Sequence, residues 1–365
     1  MRISRLQIEN LRAFDRVEME AAPGMNVLTG GNGAGKTSVL EALTLLSSGR
    51  SFRGGVREAL IRRGQGELRV FAEVLSEPED RRVGVGLARS LRGWAARIDG
   101  NAVESLPRLF QELAVVCFEP GSHALMSGGS EHRRRFVDWA LFHVEPEFLP
   151  AWRRYQRALR QRNAVLKTAG SDADLLPWEL EMAQQGARLS TQRRAWLERL
   201  IPGLAGMLSG FIAELGAVTP RFMPGWSGGD DAVSLAQALE TSRHRDRLLG
   251  HSTVGPHRAD WALSFEAAPV REMLSRGQEK LVVLSTLLAQ AEAFFNVRGQ
   301  WPILLLDDLP SELDAAHLQR TLDWLSATPA QSFVTATAPP PLSAAPVRAS
   351  RLFHVEQGKI APLVY

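Results

Sequence analysis

Short alternating runs of apolar and polar residues dominate the first part of the chain. Residues 2–29 place apolar side chains at every second or third position, which predicts a small β meander ending in a buried strand at 25–29. Residues 67–98 repeat the alternation and predict two or three antiparallel strands. A continuous apolar run at 111–118 predicts one more buried strand, which Glu119-Pro120-Gly121 ends.

From about residue 131 to 215 the apolar spacing becomes helical. Its clearest stripe, at i, i+4, i+7 and i+11, consists of Phe148, Trp152, Tyr155 and Leu159. We expect this stripe to be packed core rather than a platform for stacked bases. Turn-rich stretches at 169–174 and 224–231 bound a second helix, expected over about 178–214. The segment is therefore predicted to be an inserted helical lobe.

Helices and strands alternate in the last third of the chain. The spacing predicts helices over 233–248 and 275–295, strands over 261–265, 303–306 and 333–337, and a hairpin over 351–361. The whole chain is thus expected to be α/β. Three segments are predicted, namely residues 1–120, a helical lobe over 121–232, and residues 233–365, with the first and last building one core.

A glycine-rich loop separates the strand at 25–29 from an apolar-spaced helix at 37–46. It fits the pattern G-x-x-x-x-G-K-[ST] and consists of Gly30, Gly31, Asn32, Gly33, Ala34, Gly35, Lys36 and Thr37. Such a loop presents backbone N–H groups to a polyphosphate, and the helix N-terminus adds partial positive charge. Lys36 is expected to reach the β- and γ-phosphates and Thr37 to bind Mg²⁺. The loop therefore predicts ATP and Mg²⁺ as ligands.

Two carboxylates follow directly on the apolar strand at 303–306. A strand that ends in Asp307 and Asp308 is typical of a Walker B motif, in which the first acid holds Mg²⁺ and the second acts as general base on the attacking water. The flanking sequences are Leu274-Ser275-Arg276-Gly277-Gln278, which opens the preceding helix, and Ser311-Glu312-Leu313-Asp314. In the sequence, Lys36 precedes the predicted lobe and Asp307 follows it. Both ends of the chain are therefore expected to complete one nucleotide site.

Composition and the character of the N-terminus add three constraints. The 43 basic and 40 acidic residues leave a net charge of +3, and the lysines among them are Lys36, Lys167, Lys280 and Lys359. Since arginine supplies nearly all the positive charge, a lysine inside the glycine loop indicates a need for its compact ammonium. The single cysteine, Cys117, excludes an internal disulfide framework. The charged N-terminus and the absence of a long apolar run predict a cytoplasmic protein without a membrane segment.

Arginines cluster locally, although the net charge is small. The candidates for contact with a nucleic-acid backbone are Arg53, Arg57, Arg62 and Arg63 in a predicted basic loop, and Arg153, Arg157 and Arg160 on the helical lobe. Each cluster can equally be a solvated surface. Arg12, at the first turn of the meander, is expected either over the nucleotide or in a solvated turn.

Together these motifs resemble the RecF family of bacterial recombination-repair ATPases, in the SMC-like ABC class. The resemblance covers essentially the whole chain. It is carried by the sequences Ile8-Glu9-Asn10-Leu11-Arg12, Gly30 to Ser38 with Glu41-Ala42, Phe118-Glu119-Pro120, Arg133-Arg134-Arg135-Phe136-Val137-Asp138, Gly255-Pro256-His257-Arg258 with Asp260, Leu274 to Gln278, Asp307-Asp308, Ser311 to Asp314, and Val355-Glu356-Gln357-Gly358-Lys359-Ile360.

The resemblance implies an ABC-type ATPase head with an antiparallel β subdomain and an inserted helical lobe. ATP would be contacted by the glycine loop through Ser38, by Arg12, and across a dimer interface by Ser275, Arg276, Gly277, Gln278 and Asp314. It further implies an ATP-dependent homodimer with weak, DNA-dependent ATPase activity. Such proteins bind single- and double-stranded DNA without sequence specificity. They load RecA at gaps with RecO and RecR, and support replication restart and SOS induction.

The chain also departs from the ABC pattern. Thr337 stands where a histidine often follows the last core strand, and Asp308 replaces the usual glutamate. For the glutamine loop, only Gln111 and Glu119 are candidates. Two other functions remain open, namely the ATPase subunit of a membrane transporter and a small-molecule P-loop kinase. Neither uses the Gly255-Pro256-His257-Arg258 sequence, and the kinase also lacks a role for the Ser275 signature.

Overall fold

The computed structural model describes residues 1–53, 60–76, 81–168, 171–339 and 350–363. Arg57, one of the predicted DNA contacts, lies outside them. The chain forms two compact units, and each is described by itself: unit 1 comprises Met1–Ser122 and Arg276–Tyr365, and unit 2 comprises His123–Ser275.

The first part of unit 1 contains the predicted meander, the glycine loop and the antiparallel strands. Its elements are β1 (Arg2–Glu9), β2 (Arg16–Glu20), β3 (Met25–Thr29), α1 (Lys36–Ser48), β4 (Glu67–Ser76), β5 (Arg81–Ser90), β6 (Gly93–Ile98), β7 (Asn101–Ala102), α2 (Leu106–Phe110) and β8 (Val115–Phe118). Six of the described strands form an antiparallel sheet in the order β2-β1-β4-β5-β6-β7. Side chains alternate between core and solvent along β4, as a half-buried strand requires.

Unit 2 is the helical lobe. Its elements are α3 (Ala124–Ser127), α4 (Ser130–Val144), α5 (Phe148–Lys167), α6 (Asp172–Phe211), β9 (Val218–Met223), α7 (Ala232–Leu249) and β10 (Asp260–Phe265). The predicted stripe on α5 is buried at Phe148, Tyr155 and Leu159, whereas Trp152 is 37% exposed. The expectation of packed core is therefore right for three positions and wrong for Trp152.

The boundary between the last two predicted segments is wrong. Residues 233–275 were assigned to the C-terminal core, but they belong to the helical lobe. The reason lies in the packing, because α7 packs on α6 and β10 pairs with β9 in antiparallel register from Asp260↔Met223 to Phe265↔Val218. Strand β9 had not been predicted, and without it β10 lacks its partner.

The chain returns to unit 1 with α8 (Arg276–Arg298), β11 (Ile303–Leu306), α9 (Leu309–Glu312), α10 (Ala315–Ala327), β12 (Ser332–Ala336), β13 (Arg351–Glu356) and β14 (Lys359–Leu363). The second sheet of unit 1 has the order β14-β13-β3-β12-β11-β8 among the described strands. Its pairings are parallel except for the terminal hairpin. Helix α1 is buried along almost its whole length between the two sheets, and its leucines and valine join their common core.

One described helix, α8, has the length and apolar composition that would allow a membrane crossing. The expectation that no apolar run reaches that length is therefore wrong. Of the apolar stretch of α8 that has this composition, 67% is buried inside the protein. Core packing accounts for this composition, because buried residues such as Val282, Val283 and Leu284 occupy successive positions on all sides of the helix.

The Gly255-Pro256-His257-Arg258 sequence lies in a polar network inside unit 2. The Tyr155 hydroxyl contacts His257 Nδ1 at 2.7 Å, and His257 Nε2 lies 3.1 Å from the carbonyl of Ser252. Arg193 donates to the carbonyl of Pro256 at 2.7 Å. Gly255 has φ +125°, and a Cβ there would lie 2.5 Å from the Tyr155 hydroxyl. Glycine is thus required for the histidine to reach its partners.

Because His257 is buried, we expect acid to lower the stability of the helical lobe. Burial, assisted by the charges of Arg258 and Arg134, lowers the pKa of His257 to about 4. The unfolded histidine titrates near 6.5, so between these values the unfolded chain binds the extra proton. Stability should therefore fall as the pH drops from about 6.5 to about 4, by up to about 1.4 kcal/mol per pH unit. Urea unfolding of the wild type and of His257→Gln across this range should show a steeper loss for the wild type. Parallel pH profiles would contradict the assignment.

Candidate nucleotide site

The glycine loop connects the end of β3 to the start of α1. Gly30 has φ +148°, and a Cβ at this position would lie 2.1 Å from the carbonyl oxygen of Val355. Gly35 has φ +117°, and a Cβ there would lie 2.9 Å from the ring of Phe14. Both positions therefore demand glycine on conformational and steric grounds. The loop is held against the β13 strand on one side and the first turn of the meander on the other.

Lys36 bridges its own loop. Its ammonium donates to the carbonyls of Gly30 at 2.7 Å and Gly31 at 2.9 Å, and the residue is only 8% exposed. These contacts hold the side chain folded back over the loop, at the N-terminus of α1. An ammonium in this position can pair with the oxygens of a bound polyphosphate, where the helix dipole adds to its charge.

The loop forms one wall of a cavity of about 440 Å³. The lining residues are Arg12, Ala13, Asn32, Gly33, Ala34, Gly35, Lys36, Thr37, Ser38, Phe52, Arg53, Glu119, Pro120, Asp307, Asp308 and Thr335. The predicted loop residues from Asn32 to Ser38 thus meet both predicted acids. Gly30 and Gly31 contribute through their carbonyl contacts to Lys36.

Asp307 lies at the carboxyl end of β11, level with Thr335 at the end of β12. Thr37 Oγ1 donates to Asp307 Oδ1 at 2.9 Å, and Thr335 Oγ1 donates to the same oxygen at 2.7 Å. Burial raises the pKa of Asp307, while the two threonine hydrogen bonds and the charge of Arg53 oppose that rise. A carboxylate and a threonine hydroxyl in contact are the donor set that Mg²⁺ takes beside a nucleotide. The predicted pair, Thr37 and Asp307, therefore fits the ion.

Asp308 has a left-handed backbone, with φ 52° and ψ 39°. Its N–H donates to Thr335 Oγ1 at 2.7 Å, so one threonine positions both acids. Left-handed conformations of non-glycine residues are uncommon and concentrate at functional sites. Sequence reasoning missed Thr335 and considered Thr337 instead, which is exposed and does not line the cavity. The register of β12 beside β11, with Val334 opposite Leu306, is the signal that locates Thr335.

The structure places Arg12 at the cavity rather than in a free turn. Its guanidinium donates twice to Glu41, at 2.9 and 2.8 Å, and Glu41 is fully buried. This contact raises the pKa of Arg12. Ser51 also donates to Glu41, which ties the segment after α1 to the same carboxylate. Glu41 thus sets the position of Arg12 at the cavity wall.

Of three further predicted residues, two line the cavity and one does not. Arg53 lines the nucleotide cavity, although it was predicted to contact DNA. Of the two candidates for the glutamine loop, Glu119 lines the cavity and Gln111 lies exposed at the end of α2. Glu119 follows β8, the parallel neighbour of β11, so both carboxyl ends meet there. Its carboxylate accepts from the N–H of Gly121 at 2.5 Å.

The signature residues and Asp314 do not line this cavity. Ser275, Arg276 and Gly277 are exposed at the start of α8, and Gln278 is half-buried. Asp314 caps α10 by accepting from the N–H groups of Ala316 and His317 at 3.0 and 2.9 Å. Lys280, one turn into α8, pairs with Glu312 at 2.8 Å. Neither the signature residues nor Asp314 therefore contribute to the cavity wall that the structure describes.

The three comparisons agree over nearly the full length of the chain. A family model described as the RecF/RecN/SMC N terminal domain matches residues 2–361. A protein of Stenotrophomonas maltophilia (strain R551-3) named DNA replication and repair protein RecF is 50% identical over 364 residues, with 99% of each chain covered. A protein of Shewanella baltica (strain OS223) with the same name is 36% identical over 361 residues, again with 99% of each chain covered.

Solved structures give the same correspondence. One described as the recombination mediator protein RecF-ATP in the RecFOR pathway has a TM-score of 0.89 at 25% identity, covering 99% of this chain and 97% of that one. A second, of RecF-ATPrS, has a TM-score of 0.87 at 25% identity, covering 100% and 98%. An Smc head domain from Pyrococcus furiosus, at 14% identity and a TM-score of 0.59, with 99% of this chain and 96% of that chain covered, shares the fold.

Proposed function

The chain belongs to the RecF/RecN/SMC N-terminal domain family, and from this premise we propose that it is an ATP-dependent DNA-binding protein of recombinational repair. The predicted family and the ABC-type ATPase-head fold are both confirmed. The observation that carries the proposal is the cavity in which Lys36 and Thr37 of one segment meet Asp307 and Asp308 of another. Relatives named for DNA replication and repair align over essentially all of this chain.

ATP and Mg²⁺ are the proposed ligands of this cavity. The N–H groups at the start of α1 and the Lys36 ammonium would bind the phosphates, and Thr37 with Asp307 would hold the ion. Bound Mg²⁺ would neutralise the charge that develops on the phosphate oxygens. Asp308 would accept the proton of the attacking water. We propose a slow, DNA-dependent hydrolysis that acts as a switch, because the chain offers an aspartate rather than a glutamate as the base.

A complete site is proposed to need two chains. Ser275, Arg276 and Gly277 are exposed, and none of the four signature residues lines its own chain's cavity, which supports a contact with a second copy. A two-fold dimer would place each Ser275, with Arg276, Gly277 and Gln278, on the γ-phosphate bound by the partner chain. Asp314 would lie at the same interface. ATP would thereby join the two chains, and hydrolysis would release them.

Ser275→Ala should weaken ATP-driven dimerisation without weakening ATP binding by the monomer. The hydroxyl is proposed to contact the nucleotide of the partner chain, and Ser275 does not line its own chain's cavity, so the monomer's own contacts with ATP should persist. Sedimentation velocity with and without ATP would measure the dimer, and isothermal titration calorimetry at low protein concentration would measure binding. Ser326→Ala is a matched control, since the Ser326 hydroxyl bonds within α10 to Leu322. Equal losses of dimer and monomer binding in Ser275→Ala would contradict the trans role.

DNA is proposed to bind to the arginine row of α5 rather than to the basic loop. Arg153, Arg157 and Arg160 are all exposed, and their i, i+4, i+7 spacing places them on one helix face. Among the described residues none of the three forms an ion pair, whereas Arg62 pairs with Asp15 at 2.6 Å. Arg53 faces the nucleotide cavity instead. Arg63 is exposed and stays a candidate.

Fluorescence anisotropy with labelled single- and double-stranded DNA, across a salt series and with or without ATP, tests this function. ATP should strengthen binding, and the slope of log K against log salt should be steep because each arginine neutralises a phosphate. Replacing Arg153, Arg157 and Arg160 by glutamine should flatten the slope by about one for each lost phosphate contact. The matched control replaces Arg69, Arg82 and Arg97 on the antiparallel sheet. No DNA binding by the wild type would favour a transporter subunit or a kinase instead.

The names of the relatives, which refer to DNA replication, repair and recombination, support a wider role for the protein. We propose that the protein acts in the cytoplasm with RecO- and RecR-type mediators to load RecA at gaps, supporting replication restart and SOS induction. A structure of a relative is described in the RecFOR pathway. The transporter alternative requires a membrane partner, and the kinase alternative requires activity as a monomer. The dimerisation and DNA measurements above separate all three.

A further inference from the structure

One tryptophan of the helical lobe is exposed to solvent. All nine tryptophans lie in the described part of the chain, where Trp152 on α5 is 37% exposed and the others are buried or half-buried. No described ring stacks on Trp152. In contrast, Arg89 lies over the ring of Trp94 at 4.9 Å, and Phe295 stacks on Trp301 at 4.8 Å. The ring of Trp152 therefore leaves apolar surface in water that a planar ligand can cover.

The helix that carries Trp152 is basic. Helix α5 contains neither aspartate nor glutamate. Arg154 is neutralised from outside the helix, because it pairs with Glu181 at 2.6 Å. The exposed arginines of α5 that form no ion pair with any described residue are Arg153, Arg157 and Arg160. Their positive charge is not cancelled locally, which favours a polyanion as the ligand of this face.

Trp152 lies at one end of this arginine row. Residues four apart are neighbours on a helix surface, so Trp152, Gln156 and Arg160 form one line. Arg153 and Arg157 form the line beside it. From Arg153 to Arg160 the helix rises about 10 Å, which is about the length of three stacked nucleotides. A nucleic-acid strand whose phosphates follow the arginines therefore brings its next base to the ring.

The face of a base is accessible in a single strand but not in a duplex. Within a duplex each base is covered above and below by its neighbours, so a side chain on a protein surface meets phosphates and the edges of the grooves. In a single strand the bases can turn outward and stack on an aromatic side chain. The arginine row can bind the backbone of both forms, whereas an exposed ring adds affinity for the single strand alone.

We propose that Trp152 stacks on a base of single-stranded DNA whose backbone is held by Arg153, Arg157 and Arg160, and that this contact makes the face prefer single strands over duplexes. The inference rests on the DNA binding proposed above and adds the residue that distinguishes the two forms. The preference is independent of sequence, because every base has a π face that can stack.

Fluorescence anisotropy with the full-length protein tests the role of the ring. The probes are a labelled oligo(dT) of about 15 nucleotides and a duplex of the same length. Trp152→Ala should weaken binding of oligo(dT) about tenfold or more and leave duplex binding unchanged. Trp152→Leu keeps apolar bulk without a ring and should lose as much, whereas Trp152→Phe keeps a ring and should retain most of the affinity. Trp94→Ala is the matched control, because Arg89 covers that ring, and should bind like the wild type.

An abasic oligonucleotide with the same number of phosphates is the second probe. The wild type should bind it as weakly as Trp152→Ala binds oligo(dT), because the same contact is missing in both cases. This measurement needs no variant, so it decides the question even if alanine disturbs α5. Circular dichroism of Trp152→Ala should match the wild type.

Three results would overturn the inference while leaving the proposed DNA binding intact. The first is equal affinity of Trp152→Ala and the wild type for oligo(dT), which would favour a protein contact for the ring. The second is equal affinity of the wild type for abasic and normal strands. The third is an equal loss of single-strand and duplex binding in Trp152→Ala, since the ring would then support α5 and not contact a base. A wild type that binds neither form of DNA would instead overturn the proposed function itself, and this inference with it.

Discussion

Lys36→Ala should lower the affinity for ATP at least about a hundredfold, equivalent to about 2.7 kcal/mol. Among the described residues that line the cavity, Lys36 is the only lysine, and the two hydrogen bonds of its ammonium hold it over the loop where the phosphates would lie. Alanine removes the charge that pairs with those phosphates. It also leaves the carbonyls of Gly30 and Gly31 without their donor, so the loop loses a constraint. Titration calorimetry with ATP and Mg²⁺ would measure the loss.

Lys167→Ala is the matched control for this variant. Lys167 is exposed at the C-terminal end of α5, in the other unit, and its removal should leave ATP affinity unchanged. Lys36→Arg is the sharper comparison. It keeps the charge but introduces a planar fork in a place built for a compact ammonium, so it should also bind poorly. If Lys36→Ala bound ATP with wild-type affinity, the assignment of Lys36 to phosphate binding would be wrong, whatever the behaviour of the arginine variant.

The positions of the candidate nucleotide-binding residues were largely predictable from the sequence, because the patterns that place them are local. A strand, a glycine loop and a helix in immediate succession determine where Lys36 and Thr37 lie, and a strand ending in two acids determines Asp307 and Asp308. Short-range patterns of this kind need no knowledge of packing. The terminal hairpin was equally local, with Gln357 and Gly358 both at positive φ in its turn.

Features that depend on distant partners were missed. Thr335 reaches Asp307 and Asp308 only because β12 lies beside β11, and no local signal distinguishes Thr335 from Thr337. Strand β9 exists because β10 pairs with it. Helix α6 was expected from about residue 178, yet it begins at Asp172 and continues through Pro177. This miss was of a different kind, because the Ser171–Asp174 capping box at the helix start is a local signal that was overlooked. Arg53 was assigned to DNA on charge alone, which says nothing about the surface that it faces.

Asp308→Asn should abolish hydrolysis while leaving ATP binding intact. If Asp308 is the general base, its loss should lower the rate constant about 10² to 10⁴-fold. Asparagine keeps the shape of the side chain and tolerates the left-handed backbone found at this position, so the fold and the Asp308 N–H bond to Thr335 should persist. Since hydrolysis is proposed to release the dimer, the variant should also accumulate as an ATP-bound dimer.

Phosphate release and sedimentation, both measured with ATP and Mg²⁺, give the two readouts. Asp323→Asn, on the exposed part of α10, is the matched control and should hydrolyse ATP at the wild-type rate. The variant Glu119→Gln distinguishes the role of Glu119 from that of Asp308, since both carboxylates line the cavity beside Asp307. Because Glu119 is engaged by the N–H of Gly121, its loss should slow hydrolysis less than the loss of Asp308. A wild-type rate in Asp308→Asn together with an inactive Glu119→Gln would assign the role of base to Glu119 and leave Asp308 without a catalytic role.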